Sequence, residues 1–450
     1  MKCPVCGKEH KGLLCPQCGF DASTDYGSYP TLAPVKHVPS VPALRREWEQ
    51  NHPEPEAEPT VSPAPEPEPA KPPRKQKLWQ RILVLLSYLG LGGGMLITIV
   101  GGFRDYFIPS YANVLRADTI PYSFTGSRAE YSVLDSEYQR QQIRSVTFLD
   151  TLADKPDDAW DVSEMHNGKV MAWVEPNGSL YDLYIGGEDG VWADASCREL
   201  FAGYRNTEYF AFGDAFHTEH AQDMGWMFYD CRSLTTLELS GFDTANVQDM
   251  NYMFYGCESL TSLDLSSFDT ANVQDMDYMF HSCESLTSLD LSSFDTANVQ
   301  HMEWMFYDCE SLTSLDLSSF DTANVQDMNN MFYNCKSLTS LDLSSFDTAN
   351  VQDMDYMFGN CNSLTSLDLS SFDTANVQWM YNMFDNCNSL TSLDLSSFDT
   401  ANVQDMDYMF YNCMSLSDLT LGDRFVTTNA TTYSMFGFCP GGKDYHHLLD

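Results

Sequence analysis

The chain has 450 residues, room for two or three domains, and a formal net charge of −40, from 24 Lys+Arg against 64 Asp+Glu. The charge is uneven: residues 1–103 hold eleven basic and ten acidic side chains, and between Ser233 and Asp423 the only Lys or Arg is Lys336. An array that acidic repels nucleic acid and anionic membrane, which argues against DNA or RNA binding, and it favours cationic partners or divalent ions.

The N-terminus carries two Cys-x₂-Cys knuckles, Cys3-Pro-Val-Cys6-Gly7 and Cys15-Pro-Gln-Cys18-Gly19. Four thiolates at this spacing suit tetrahedral Zn²⁺, and the glycine after each second cysteine lets backbone amides turn toward the sulfurs. Residues 1–20 thus resemble a short zinc ribbon. A thioredoxin-like redox pair is the rival reading, but no strand–helix unit surrounds either motif. Four closed ligands make the zinc structural, and thiolate ligation places this end in a reducing compartment. Residues 21–77 are rich in Pro and Glu, as in Pro-Glu-Pro-Glu-Ala-Glu-Pro at 53–59, and predict a disordered, partly polyproline-II linker.

Within 78–103, Ile82 to Phe103 are 22 uncharged, largely apolar residues, long enough to cross a bilayer as one helix. A cleaved signal peptide is disfavoured by the long hydrophilic stretch before it. Arg74, Lys75, Lys77 and Arg81 precede the span, against Arg104 and the more distant Arg116 after it, so the positive-inside rule puts the N-terminus in the cytoplasm and the C-terminal repeats outside. The expected localisation is the cell membrane, crossed once.

Residues 104–195 read as a stalk followed by a β-rich N-terminal cap. Ser145–Leu149, Lys169–Val174 and Ser179–Ile185 have strand character, and Asn167-Gly168 and Asn177-Gly178 are hairpin-turn signals. From Leu200 to Phe216 a degenerate first coil is expected.

Residues 196–440 are repetitive. Cys231, Cys257, Cys283, Cys309, Cys335, Cys361, Cys387, Cys413 and Cys439 are each 26 residues apart. A fixed period in this range is the mark of a stacked solenoid, in which no single repeat can bury its own apolar face. In one coil, Leu260-Thr-Ser-Leu263-Asp-Leu265 predicts a short parallel strand with Leu263 and Leu265 inward and Ser262, Asp264 and Ser266 outward. Val273, Met276, Met279, Phe280 and Cys283 recur at steps of three and four, which predicts a short α or 3₁₀ helix, N-capped by Asn272 with Asp275 in its first turn. The predicted fold class is therefore α/β: a leucine-rich-repeat-type solenoid of parallel strands and short helices, with a zinc ribbon and one transmembrane helix before it and a tail over residues 441–450. Leu419 to Phe436 make an imperfect last coil, and His446 and His447 in the tail read as solvent-exposed.

The pattern Met-Phe-x-x-Cys-x-Ser-Leu-x-x-Leu-x-Leu-Ser-x-Phe-Asp-Thr-x-x-Val-x-x-Met, from about Met227 to Phe436, resembles the BspA-like leucine-rich-repeat surface proteins of bacteria. That resemblance implies an extracellular, membrane- or wall-held binding or adhesion protein for protein or glycan ligands, with no catalytic residues to carry over.

Three columns invite a functional reading. The nine cysteines read first as small buried hydrophobes; coils about 5 Å apart are also within disulfide reach, with Cys197 as an extra partner. On the strand face, Asp264, Asp290, Asp316, Asp342, Asp368 and Asp394 should stack in register, their repulsion relieved either by bound cations, Ca²⁺ first, or a basic ligand, or by solvent and salt. Screening is the simpler reading. Asp269 and its equivalents read as turn residues. On the other side, aromatics such as Tyr252, Tyr278, Trp304, Tyr255 and Tyr307 vary from coil to coil. No nucleophile–base constellation emerges, so an enzyme is not expected. The reading is a membrane-anchored cell-surface binding protein, with a transmembrane sensor or envelope assembly factor coupling the repeats to the zinc ribbon and its cytoplasmic partner, or a structural envelope spacer, as the alternatives.

Overall fold

A computed structural model describes residues 113–116, 133–134 and 136–449. The expected zinc ligands Cys3, Cys6, Cys15 and Cys18, the Pro/Glu-rich linker and the apolar span lie outside the described residues. Among the described residues no helix is long and apolar enough to cross a membrane.

The array is closed at its N-terminal end by a five-stranded sheet in the order β2-β3-β4-β1-β6. Its strands are β1 (Ile143–Leu149), β2 (Trp160–Asp161), β3 (Val170–Asn177), β4 (Leu180–Gly187) and β6 (Tyr209–Ala211); β5 (Val191–Trp192) pairs separately with β7 (Phe216–His217). The two Asn-Gly signals fall at the β2–β3 and β3–β4 hairpins, where Gly168 and Gly178 have φ of +69° and +65°, a left-handed conformation that glycine adopts without penalty. Strand β1 runs parallel to both β4 and β6, so the sheet continues from the hairpins into the first coil. Phe148 of β1 seals the join, its ring centre 4.5 Å from that of Phe216 and 5.4 Å from that of Phe212. The far end is closed by a 3₁₀ helix, Pro440–Leu448, whose Tyr445 hydroxyl accepts the Leu421 amide at 3.1 Å and donates to the Leu419 carbonyl at 3.2 Å.

Between these ends each coil buries the expected residues. Leu263, Leu265, Phe268, Val273, Met276, Met279, Phe280 and Cys283 are all buried, while Ser262, Asp264 and Ser266 are exposed, as strand alternation required. The strand itself is weaker than expected. A regular ladder forms only between β8 (Ser392–Leu395) and β9 (Asp418–Leu421); in inner coils the extended segment makes one longer backbone bond to its neighbour, such as Thr287 N–H to Thr261 O at 3.3 Å. Hydroxyls supplement it, as where Ser293 Oγ donates to Leu265 O at 3.2 Å.

The expected helix does not form, and among the described residues the helical elements are all 3₁₀. The physical reason is backbone sign: Tyr278 has φ of +58° and Ser282 of +57°, whereas an α-helix requires negative φ throughout. The steps of three and four are met instead by successive turns, Met279 N–H to Met276 O at 3.3 Å and Cys283 N–H to Phe280 O at 3.1 Å. The remaining amides point along the stack. Met276, Tyr278, Phe280 and Ser282 donate to the carbonyls of His301, Glu303, Met305 and Tyr307 in the next coil at 2.9, 2.9, 2.9 and 2.7 Å. Asn272 is no N-cap either: its Nδ2 donates to Ala245 O of the preceding coil at 2.8 Å, and Asp275 Oδ1 accepts the Asp277 amide at 3.0 Å.

A buried threonine completes each coil's junction. Thr296 Oγ1 donates to Asp321 O at 2.9 Å and accepts the Asp321 amide at 2.8 Å. Asp295, after the turn phenylalanine, accepts the Ala297 amide at 3.1 Å, the local turn role expected for this column. Replacing Thr296→Val keeps the shape but strips both bonds, leaving the Asp321 amide without its acceptor. The expected loss is about 1–3 kcal/mol, with faster hydrogen exchange at the Asp321 amide than in Thr296→Ser, which keeps the hydroxyl.

Candidate functional site

Four side-chain columns run along the stack, and each coil positions them by the same turns. On the strand face the predicted Asp264, Asp290, Asp316, Asp342, Asp368 and Asp394 are all exposed. Each carboxylate accepts the amide of the serine two residues on, at 3.0 Å for Ser266 and Ser292. These serines hold the carboxyls below the ordinary aspartate value, so the column is charged at neutral pH. Near the C-terminal end the face forms an open groove lined by Asp368, Ser370, Asp394, Ser396, Asp418 and Thr420.

The nine cysteines, with Cys197, are buried and free. Cys257 Sγ donates to Phe228 O at 3.4 Å and Cys283 Sγ to Phe254 O at 3.3 Å, a bond repeated from coil to coil. Burial pushes these thiols up, Cys283 and Cys361 to about 12, which removes thiolate reactivity.

A third column is the run of coil-to-coil aromatics, some of which were expected to pack between coils. In the structure they stack. Trp226, Tyr252 and Tyr278 have successive ring centres 4.3 and 4.4 Å apart, and Tyr229, Tyr255, His281 and Tyr307 follow at 4.6, 4.4 and 4.4 Å. Both runs stop where the sequence substitutes small or polar residues, at Asn330 and Gly359. Desolvation between the two rings pushes His281 down to about 4, leaving it neutral.

The fourth column was missed. At the turn edge, Asp223, Asp249, Asp275, His301, Asp327, Asp353, Trp379, Asp405 and Thr431 occupy equivalent positions, and backbone bridges link successive members except between His301 and Asp327. Two residues on, Asn251, Asp277, Glu303, Asn329, Asp355, Tyr381 and Asp407 form a parallel file. The signal was the Asp-Met-Asp spacing, visible in Asp275-Met276-Asp277 and obscured by reading Asp275 as part of a helix cap. These carboxylates are half-buried. Desolvation first, then neighbouring carboxylates, pushes Asp277 up to about 8, Glu303 to about 7 and Asp355 to about 7. Among the described residues, the set of His, Cys, Asp or Glu ligand atoms lying within 4.8 Å of one another is Asp277, His301 and Glu303. The predicted strand-face column contributes no such set.

The architecture defines a class: a repeat protein whose 26-residue coils stack through turn ladders and buried side-chain columns. Four overlapping stretches, residues 195–315, 222–340, 263–366 and 310–425, match the family described as "Mycoplasma protein of unknown function, DUF285". Together they run from 195 to 425, more than half of the 450 residues, and the chain belongs to that family. No curated protein matches. Among solved structures, the functional domain of InlJ from Listeria monocytogenes, described as including a cysteine ladder, is similar over 52% of this chain and 60% of its own length, at 12% identity and a TM-score of 0.11.

The edge carboxylates set a pH dependence. Burial pushes Asp353 up to about 6 and Asp355 to about 7; neighbouring carboxylates, Asp327 beside Asp353 and Asp353 beside Asp355, add to the shift, and the Asp355 and Tyr381 amides partly offset it. A folded-state value above the unfolded one means that folding binds protons. The associated stability is present at low pH and is lost as pH rises through 6 to 7. The melting temperature should therefore fall between about pH 5 and pH 8, and Asp353→Asn with Asp355→Asn should flatten that fall.

Proposed function

We propose that this is a surface-displayed binding protein: anchored by the apolar span at 82–103, with the cysteine knuckles on the cytoplasmic side, it presents the repeat array outside a bacterial cell to a protein or glycan ligand bearing cationic groups. Binding, not turnover, is the proposed activity. The observation that carries this reading is the strand-face aspartate column. Its six carboxylates are exposed and each is held in its ionised form by a local serine amide, so the array offers the same anionic unit on successive coils. Repeated weak sites give strength through avidity, because once one coil is engaged the next meets its target at a high effective concentration. Ca²⁺ bridging between a coil and an anionic glycan is a variant of the same chemistry, favoured by hard oxygen ligands. The resemblance to BspA-like surface proteins supports the same placement.

A spacer role is the second reading, and the near-identity of the strand face from coil to coil favours it, since a tether needs length and no particular shape. One experiment separates them. A host bacterium expressing the full chain is compared with one lacking three inner coils and with one carrying Asp→Asn at all six strand-face positions, and adhesion to immobilised protein and glycan panels is measured with and without calcium. Binding predicts a more than proportional loss on coil deletion and near-complete loss in the Asp→Asn cells. Adhesion that is indifferent to both changes removes the binding reading and leaves the spacer, while failure of external protease to cleave the repeats on intact cells removes surface display itself.

A further inference from the structure

The turn-edge columns are neutralised by the protein at one end and not in the middle. At the first coil Arg198 Nη1 lies 3.6 Å from Asp223 Oδ1 and 3.4 Å from Asp249 Oδ2, bridging two successive coils. The same nitrogen donates to Asn251 Oδ1 at 3.3 Å, and the guanidinium lies over the Trp226 ring, 5.8 Å from its centre. A cation held between neighbouring coils on this edge is thus already part of the fold. Among the described residues further along the array, basic side chains pair elsewhere on the coils: Arg205 and Arg232 with Asp230, Lys336 with Glu310 at 2.6 Å, and Arg424 with Asp399.

Three coils beyond Asp223, the chain departs from its own pattern. His301 takes the position held by Asp249, Asp275 and Asp327 in neighbouring coils, and Glu303 follows in the parallel file. One imidazole nitrogen and one oxygen each from Asp277 and Glu303 lie within 4.8 Å of one another. Asp277 Oδ1 accepts the Glu303 amide at 2.7 Å, which fixes that carboxylate against the coil bearing the other two groups. The stack also loosens here. Met276 donates to His301 O at 2.9 Å and Met328 to Asp353 O at 3.0 Å, but the rung between Met302 and Asp327 is missing from the ladder, and so is the bridge between His301 and Asp327.

We propose that Asp277, His301 and Glu303 form a binding site for a divalent transition-metal ion, with zinc as the first occupant to test. Ligands around zinc sit roughly 2.0–2.2 Å from the metal, and donors within 4.8 Å of one another are near enough to close on a single ion. A mixed set of one imidazole and two carboxylates suits first-row transition ions, whereas Ca²⁺ calls for six to eight oxygens. His301 is exposed, so the ion keeps an open position for water or for a donor from a partner.

The test uses the full chain with Cys3, Cys6, Cys15 and Cys18 changed to Ser, so that the N-terminal thiols contribute nothing. Cobalt is titrated in, followed by optical absorption, and then displaced by zinc. The expected result is about one equivalent of metal with weak ligand-field bands and no thiolate charge-transfer band. His301→Asp installs the residue that neighbouring coils carry at this position, so the coil is retained. It should weaken zinc binding by roughly tenfold to a hundredfold, as should Glu303→Gln, while Glu284→Gln should not. No metal uptake by the folded chain at micromolar zinc, unchanged affinity in His301→Asp, or a thiolate band from the buried cysteines would each overturn the assignment.

Discussion

Every coil must commit the amides of its turn side to the next coil, and that requirement shapes the array. An α-helix closes its hydrogen bonds within itself. The segment from Met276 to Ser282 instead sends alternate amides outward to His301, Glu303, Met305 and Tyr307. Alternation needs a change of backbone sign, supplied at two positions per coil, such as Tyr278 and Ser282. In the position before each cysteine of the column the residues are Asp230, Gly256, Ser282, Asp308, Asn334, Asn360, Asn386 and Asn412, the types that most readily adopt positive φ or are small, and Phe438 in the last coil. The other position holds Asn330, Asn382 and Ser434 in three coils but Trp226, Tyr252, Tyr278, Trp304, Tyr356 and Tyr408 in the rest, bulky residues for which such a conformation is unfavourable. Ring stacking between coils offsets that strain, so the aromatic column and the turn ladder stabilise each other.

The same registry that stacks rings also stacks charge. A residue repeated every 26 positions meets its own copy in the next coil, and for carboxylates this means repulsion in a partly desolvated strip. The array treats its two acidic columns differently. On the strand face the aspartates are exposed and bonded to serine amides, and their charge is carried in solvent. At the turn edge, burial raises Asp277, Glu303 and Asp355 toward neutrality, and Arg198 neutralises only the first two levels. The strand face is thus suited to meeting a cationic partner, and the turn edge to holding an ion.

Much of this was legible in the chain. The cysteine period gave the coil length, the Leu263–Leu265 alternation assigned the inward face, Asp269 announced its turn, and the two Asn-Gly pairs marked the hairpins of the cap. Each is a local statement: side-chain polarity and turn chemistry act within a few residues. The helix was misread because apolar steps of three and four describe one buried face, and that face is served equally by a helix or by successive turns. Hydrophobic spacing carries no information on whether an amide bonds within its coil or to the next.

What the sequence determined by itself is therefore the repeat, the residues each coil buries and the acidic character of the surface. The tertiary structure alone decided the direction of the hydrogen bonds, the stacking of Trp226, Tyr252 and Tyr278, and the meeting of Asp277 with His301 and Glu303. Those groups are about one coil apart in the chain, and only the registry of stacked coils, fixed by the turn ladder and the threonine junctions, brings them within reach of each other.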